Sequence, residues 1–190
     1  DDIDPAVVAA GEIVFLEGYL FDRVEAKAAF VRAAEIARQA GRRVALTLSD
    51  SFCVERHRDS FAHLVEHHVD ILLANEHEIM GLYQLESLAA ALDRAASVCP
   101  MVAVTRSADG AVVAAGPDRW AVPAAPVPQV IDTTGAGDQF AAGFLFGLAT
   151  GRDPGHSARL GALAAAEVIA HVGPRPEVPL KTLMQAQGLL

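Results

Sequence analysis

Residues 43–74, RVALTLSDSFCVERHRDSFAHLVEHHVDILLA, decide the fold. Arg43–Leu48 and Val69–Ala74 are short, largely apolar runs of strand length, and His57–His68 between them reads as helix. Strand, helix and strand in succession predict a parallel pair joined by a helical crossover. Upstream the pattern repeats. Glu12–Leu16 (EIVFL) reads as a buried strand, and Arg23–Gln39 keeps a helical stripe through Val24, Ala28, Val31 and Ile36 until Gly41 stops it. Downstream, helices over Glu76–Tyr83 and Ser87–Val98 lead to a fourth strand, Met101–Thr105. The repetition predicts an α/β fold, a mostly parallel sheet with helices on both faces.

Beyond Thr105 the rhythm changes. Asp109-Gly110 is a turn signal before the strand AVVAA, and another short strand is expected at Arg119–Val122. These predict antiparallel strands at one sheet edge. Pro123, Pro126 and Pro128 mark an extended connector too short to link domains. From Gly135 the chain reads as helix: Gly135–Thr150, Pro154–His171 and a short one from Leu180. With 52% hydrophobic and 21% charged residues in 190, one layered α/β domain with a real core is expected. The formal charge of −9 argues against nucleic acid or an anionic membrane as a bulk-charge partner. Cys53 and Cys99 make neither a disulfide framework nor a metal set, which fits a reducing cytoplasm. The uncharged run 139–151 is shorter than the ~18 apolar residues of a membrane span. No signal peptide is read, and an opening Asp1-Asp2-Ile3-Asp4 without methionine suggests a piece of something longer.

Chemistry concentrates in Ile131-Asp132-Thr133-Thr134-Gly135-Ala136-Gly137-Asp138-Gln139-Phe140. Small residues at a loop-to-helix junction let a ligand approach the backbone, and first-turn N–H groups have no partner inside the helix. With the helix dipole these amides form an anion site. Asp138 falls on the same first turn, where a carboxylate can take a hydroxyl proton while amides hold developing charge. That pairing suits phosphoryl transfer. The glycine spacing alone would equally fit an ordinary turn with Asp138 as a helix-start acid.

The string Asp-Thr-Thr-Gly-Ala-Gly-Asp-x-Phe resembles the second signature of the PfkB (ribokinase-like) carbohydrate and nucleoside kinase family. Other segments agree in order. Asn75-Glu76-His77-Glu78 resembles the family's Asn-x-x-Glu motif, Val104–Gly110 its nucleotide-side strand and turn, and Gly173-Pro174-Arg175-Pro176 its closing loop. Leu48–Phe52 and Val69–Glu76 look most like adenosine kinases.

The resemblance implies a three-layer αβα ribokinase-like fold, with residues 1–190 as the C-terminal, nucleotide-binding and catalytic part of one kinase domain. It implies no counterpart here of the N-terminal substrate strand or the lid. It also implies ATP and Mg²⁺, with K⁺ as a further cation, and a nucleoside or sugar as small-molecule substrate, with a homodimer left open. By position, Asp138 matches the general base, and Gly135, Ala136 and Gly137 match the anion hole. Asn75 and Glu78 match the pair that positions Mg²⁺ through water. Thr105 and Gly110 match the nucleotide-phosphate and ribose side, although Ser107 replaces a glycine common in that turn. Ala162, Ala165 and Ala166 match the border of the adenine pocket; Asp132 and Thr134, with backbone near His171 and Gly173, match a monovalent-cation site. The expected activity is phosphorylation of a hydroxymethyl group on an adenosine-like nucleoside or sugar. The alternatives are a ribokinase- or fructokinase-type sugar kinase, and an inactive nucleotide-binding module.

Blander readings stand beside several residues. Asn75 and Glu78 also fit a capping box, and both roles are compatible. His63 and His67 have zinc spacing but lack the HExxH glutamate, so His63, His67 and His68 read as surface histidines. Arg56-His57-Arg58, flanked by Glu55 and Asp59, reads as a solvated turn. Phe140, Phe144 and Leu148 read as core, Gly143 and Gly147 as close-packing positions, and Cys53 as an inert thiol.

Overall fold

The computed structural model describes residues 3–190; Asp1 and Asp2, at the head of the expected domain, lie outside the described residues. In chain order it contains α1 (Pro5–Ala10), β1 (Ile13–Glu17), a 3-10 turn (Gly18–Asp22), α2 (Val24–Gln39), β2 (Arg43–Thr47) and α3 (Ser51–His67). There follow β3 (Ile71–Asn75), α4 (Glu76–Tyr83), α5 (Leu88–Ala96), β4 (Met101–Thr105), a 3-10 turn (Ser107–Asp109), β5 (Ala111–Ala115) and β6 (Asp118–Val122). The last elements are α6 (Ala136–Ala149), α7 (Pro154–Val168) and α8 (Leu180–Ala186).

The six strands form one sheet in the order β1-β2-β3-β4-β5-β6. β1 and β2 run parallel with Ile13 opposite Arg43, and β2 and β3 with Ala45 opposite Ile71. The 106–110 connection between β4 and β5 is too short for a parallel crossover. A two-residue turn at Gly116-Pro117, with Gly116 at φ +55°, joins β5 to β6. The sheet is therefore mostly parallel with antiparallel strands at the β6 edge, as the sequence predicts.

Two corrections concern α3. It starts at Ser51 rather than His57, because the Asp50 carboxylate accepts the Cys53 N–H at 2.7 Å and caps it there. Arg56-His57-Arg58 is consequently no turn but lies inside the helix, at a point where His57 leaves helical geometry (φ −124°, ψ 21°). Nor are the flanking acids its partners. Arg56 donates to Asp22 at 2.9 and 3.1 Å, His57 Nε2 lies 2.8 Å from the same carboxylate, and Arg58 Nε donates to the Gly81 carbonyl at 3.0 Å.

The chain divides into two compact units. In the first, Asp1–Val104 with Ala114–Asp118, the strand residues Val44, Leu46, Ile71, Leu72 and Val102 and the helical residues Phe30, Phe61 and Val65 are all buried. Phe21 stacks on Phe61 with ring centroids 4.6 Å apart and tilts against Phe30 at 5.0 Å. Burying Phe61 completely contributes about 1.5–3 kcal/mol.

The second unit, Thr105–Val113 with Arg119–Leu190, is organised by α6 and α7. A Cβ on Gly143 would lie 2.6 Å from the Leu160 carbonyl, one on Gly147 2.5 Å from Ser157 Oγ, and one on Gly161 2.7 Å from the Phe140 carbonyl. The expected close packing at Gly143 and Gly147 is therefore found. Phe140, Phe144 and Leu148 are buried beside this seam, and α8 adds Met184 against Leu160 and Ala164.

Candidate active site

Within the second unit, α6 begins at an N-cap of an uncommon kind. Gly135 sits in the left-handed region (φ 79°, ψ 1°) and supplies no side chain to satisfy the first-turn amides. The Ala136 N–H turns back to the Thr133 carbonyl at 3.1 Å, while Gln139 N–H donates to the Gly135 carbonyl at 2.9 Å. Gly137 has nothing within 4 Å of the place a Cβ would take, and Gly137 and Asp138 are exposed. The first turn thus presents open backbone of the kind that receives an anionic ligand, with the Asp138 carboxylate beside it.

The turn is held from outside. Asp132 accepts the Thr134 N–H through Oδ1 and the Gly173 N–H through Oδ2, both at 2.9 Å. Bonds from the Thr134 amide, the Thr134 hydroxyl and the Gly173 amide hold its carboxyl below the ordinary carboxylate range. Three bonds on two oxygens leave one in-plane lone pair free, so Asp132 would supply one hard oxygen ligand to a monovalent cation. Pro174 presses on Gly135, where a Cβ would lie 2.7 Å from the proline Cβ, and Gln139 Nε2 donates to the Pro174 carbonyl at 3.3 Å. Further back, the Ile131 N–H donates to the Ile169 carbonyl at 2.8 Å.

The segment 172–178 is tied down at its far end by a residue that sequence reasoning missed. One oxygen of Glu167 accepts the N–H groups of Glu177 and Val178 at 2.8 and 2.9 Å. Its side chain is 8% exposed, and His171 Nε2 lies 3.5 Å from it. Burial works to lower the His171 pKa, but the Val172 carbonyl and the Glu167 and Glu177 carboxylates outweigh it and the net shift is upward. The signal in the sequence was a lone acid in the alanine-rich run LGALAAAEVIA.

Thr105 ends β4, and Gly110 closes the following turn at φ 82°, ψ −128°, which only glycine adopts readily. A Cβ there would lie 2.1 Å from the Val122 carbonyl, so Gly110 is required by packing whatever it binds. Ser107, at the position where the resemblance implies a glycine, carries a positive φ of 50°. The departure seen in the sequence falls where the backbone favours glycine. On α7, Ala162 and Ala165 are half-buried and Ala166 is buried.

In the first unit, Asn75 and Glu78 form a complete capping box at the start of α4. Asn75 Oδ1 accepts the Glu78 N–H at 2.9 Å, and Glu78 accepts the Asn75 N–H at 2.8 Å and its amide Nδ2 at 2.6 Å. Glu78 is 5% exposed. Burial pushes its pKa up, the Asn75 N–H opposes that, and the charges of Asp50 and Glu17 add to the rise. Both oxygens keep a free lone pair, so the pair fits a hydrated Mg²⁺ that donates water hydrogens to it. Nearby, Ser49 takes a positive φ of 73°, donates its hydroxyl to Glu17 and accepts the Tyr19 N–H at 3.2 Å.

Other side chains match their bland readings, with one correction. Cys53 is buried, donates to the Gly18 carbonyl and is pushed up to about 11 by burial, so it stays a thiol. It lies near Asp22 and His57, but Arg56 already occupies that carboxylate, so the trio is not a ready metal site. His63 and His67 are exposed and stack at 4.3 Å, whereas His68 is half-buried, its Nδ1 lacks a partner, and burial lowers its pKa.

The chain belongs to the pfkB family of carbohydrate kinases, which it matches over residues 2–181. The structure of a probable sugar kinase from Rhizobium etli is 45% identical and superposes with a TM-score of 0.97 over 100% of this chain and 58% of its own. That of adenosine kinase from Sinorhizobium meliloti is 46% identical with a TM-score of 0.96, covering 98% of this chain and 57% of its own. An adenosine kinase of Saccharomyces cerevisiae is 27% identical over 180 residues, 88% of this chain and 52% of the yeast protein. The chain thus spans about half the length of such relatives. The expected ribokinase-like fold is the one found. No helix among the described residues is long and apolar enough to cross a membrane.

Proposed function

We propose that the protein is an ATP-dependent phosphotransferase that phosphorylates a hydroxymethyl group of an adenosine-like nucleoside or a sugar. The observation that carries this reading is the exposed Asp138 on the open first turn of α6. The Asp138 carboxylate accepts the substrate's hydroxyl proton as that oxygen attacks the γ-phosphorus. The bond from the γ-phosphorus to the bridging oxygen breaks, and ADP leaves with the electron pair. The amides of Gly135, Ala136 and Gly137 steady charge on the transferred group, the Ala136 amide by exchanging its Thr133 partner. Thr105 and Gly110 line the nucleotide's phosphate and ribose, and Ala162, Ala165 and Ala166 border its base. Glu78 and Asn75 orient waters of Mg²⁺, which neutralises phosphate charge when bound. Asp132 and Thr134 hold a monovalent cation such as K⁺.

On this reading residues 1–190 are the C-terminal, nucleotide-binding half of one kinase domain in a cytoplasmic enzyme. The 46% identity to an adenosine kinase supports a nucleoside as substrate. The near-equal identity to a probable sugar kinase keeps a sugar as the second reading. The test is Asp138→Asn in the intact protein, assayed with ATP, Mg²⁺ and a nucleoside and sugar panel. Turnover should fall by about 10²–10⁴-fold with ATP affinity nearly unchanged. Survival of kcat within a few-fold would return Asp138 to a helix-start role.

A further inference from the structure

We infer that Glu167 is a positioning residue for the phosphoryl-holding turn, acting through the loop 172–178 that it anchors. The inference rests on the phosphotransferase reading above for the function of that turn, but not for the mechanical coupling itself.

Glu167 is the wrong residue for its place by local rules. It lies in the last turn of α7, where the helix dipole disfavours an acid. Its side chain is almost wholly removed from water, which disfavours a carboxylate unless hydrogen bonds replace the lost solvent. A sequence keeps such a conflict where the group performs a task. The task visible here is to receive two backbone N–H groups of one segment, Glu177 and Val178, ten and eleven residues along the chain. Bonds from N–H groups to a carboxylate are about twice as strong as neutral ones.

The anchored segment is the one that shapes the turn. Between Glu167 and its two partners the chain makes a loop fastened at successive points: Gly173 N–H on Asp132, Pro174 against Gly135, and the Pro174 carbonyl under the Gln139 amide. Gly135 is the residue whose left-handed conformation starts α6 and opens its amides. Released from Glu167, the loop keeps its contacts to the turn but loses the brace that presses Pro174 there. The amides and Asp138 then sample positions unproductive for transfer, and displacement of about 1 Å can cost 10²-fold in rate.

The experiment compares Glu167→Ala, Glu167→Gln and Met184→Ala in the intact protein. Glutamine keeps a carbonyl oxygen able to accept both N–H groups. Met184→Ala removes buried volume from the α7–α8 cluster without touching the loop. Glu167→Ala should lower kcat on the order of 10–100-fold and speed amide exchange in both 172–178 and 133–140 by about tenfold or more. Glu167→Gln should bring both readouts to values between alanine and wild type, since the amide oxygen keeps both hydrogen bonds but without the charge that strengthens them. Met184→Ala should lower Tm yet leave kcat and exchange at 133–140 near wild type. Unchanged exchange at 133–140 in Glu167→Ala, or a Met184→Ala variant as impaired as Glu167→Ala, would overturn the inference, as would a glutamine variant as slow as alanine. Wild-type protein that transfers phosphate to no nucleoside or sugar would defeat the phosphotransferase reading alone; exchange at 133–140 would still decide the coupling.

Discussion

Two helices of this chain begin with opposite arrangements. At α4 the side chains of Asn75 and Glu78 satisfy the backbone reciprocally, and the carboxylate is buried. At α6 Gly135 offers no side chain, the first turn faces outward, and support arrives from Asp132, Pro174 and the loop beyond α7. The orphan amides of a helix start serve either the helix or a ligand. A helix that keeps them for a ligand must borrow its stability from elsewhere, and α6 borrows it from residues about forty positions away.

Substitutions at the two helix starts should therefore behave differently. The largest effect is expected for Gly135→Ala. An L-residue in the left-handed region costs about 1–2 kcal/mol, and the added methyl meets Pro174, so thermal melting should show a large loss and turnover should vanish. Asn75→Ala should cost about 1 kcal/mol in chemical denaturation, because a self-capped helix loses its own cap. Gly137→Ala is the informative converse. With open space around the new methyl and helical geometry already in place, stability should rise by about 0.5–1 kcal/mol, while turnover should fall through crowding of the proposed phosphoryl site. A variant both more stable and fully active would remove Gly137 from the anion hole.

The smallest stability effect is expected for Glu78→Gln. Burial favours the neutral acid, so the folded carboxyl titrates above its ordinary 4.5 and the folded chain binds the extra proton in that window. Stability contributed by this group is present at lower pH and is lost as pH rises through the window. Glutamine does not ionise, so the variant's Tm should decline less than wild type between pH 4 and neutrality, roughly the span above the reference carboxylate value. Near neutrality its Tm should stay close to wild type while its Mg²⁺ requirement rises. An unchanged Mg²⁺ dependence would leave Glu78 with capping alone.

Legibility in the sequence followed the range of the interactions. The strand at Met101–Thr105 and the helix at Glu76–Tyr83 coincide with their expected bounds, because apolar runs and a local cap define them. The α6 start was readable for the same reason: its glycines and Asp138 are adjacent in the chain. Errors arose where a local signal was weak or misread. Ser51–Arg56 carries charges and a cysteine that mask the helix begun by Asp50, and Asp4-Pro5 caps and starts an α1 of 6 residues, too short to show a helical period. Arg56 pairs with Asp22, 34 residues away, a separation that no local pattern reveals. Glu167 shows the limit best. Nothing in an alanine-rich helix says which backbone an acid will meet, since that is fixed only when the loop folds back upon it.

The seam of Gly143, Gly147 and Gly161 bears on heat. Side chains at an ordinary helix contact gain rotamers on warming and let helices slide, whereas here Gly143 rests on the main chain of Leu160 and Gly161, and the glycines themselves have no rotamers to gain. The helix that carries Asp138 is thus indexed by a contact whose geometry has little freedom to soften gradually. Warming should leave the carboxylate in register with α7 until the two helices part, so this part of the molecule fails abruptly rather than by drift.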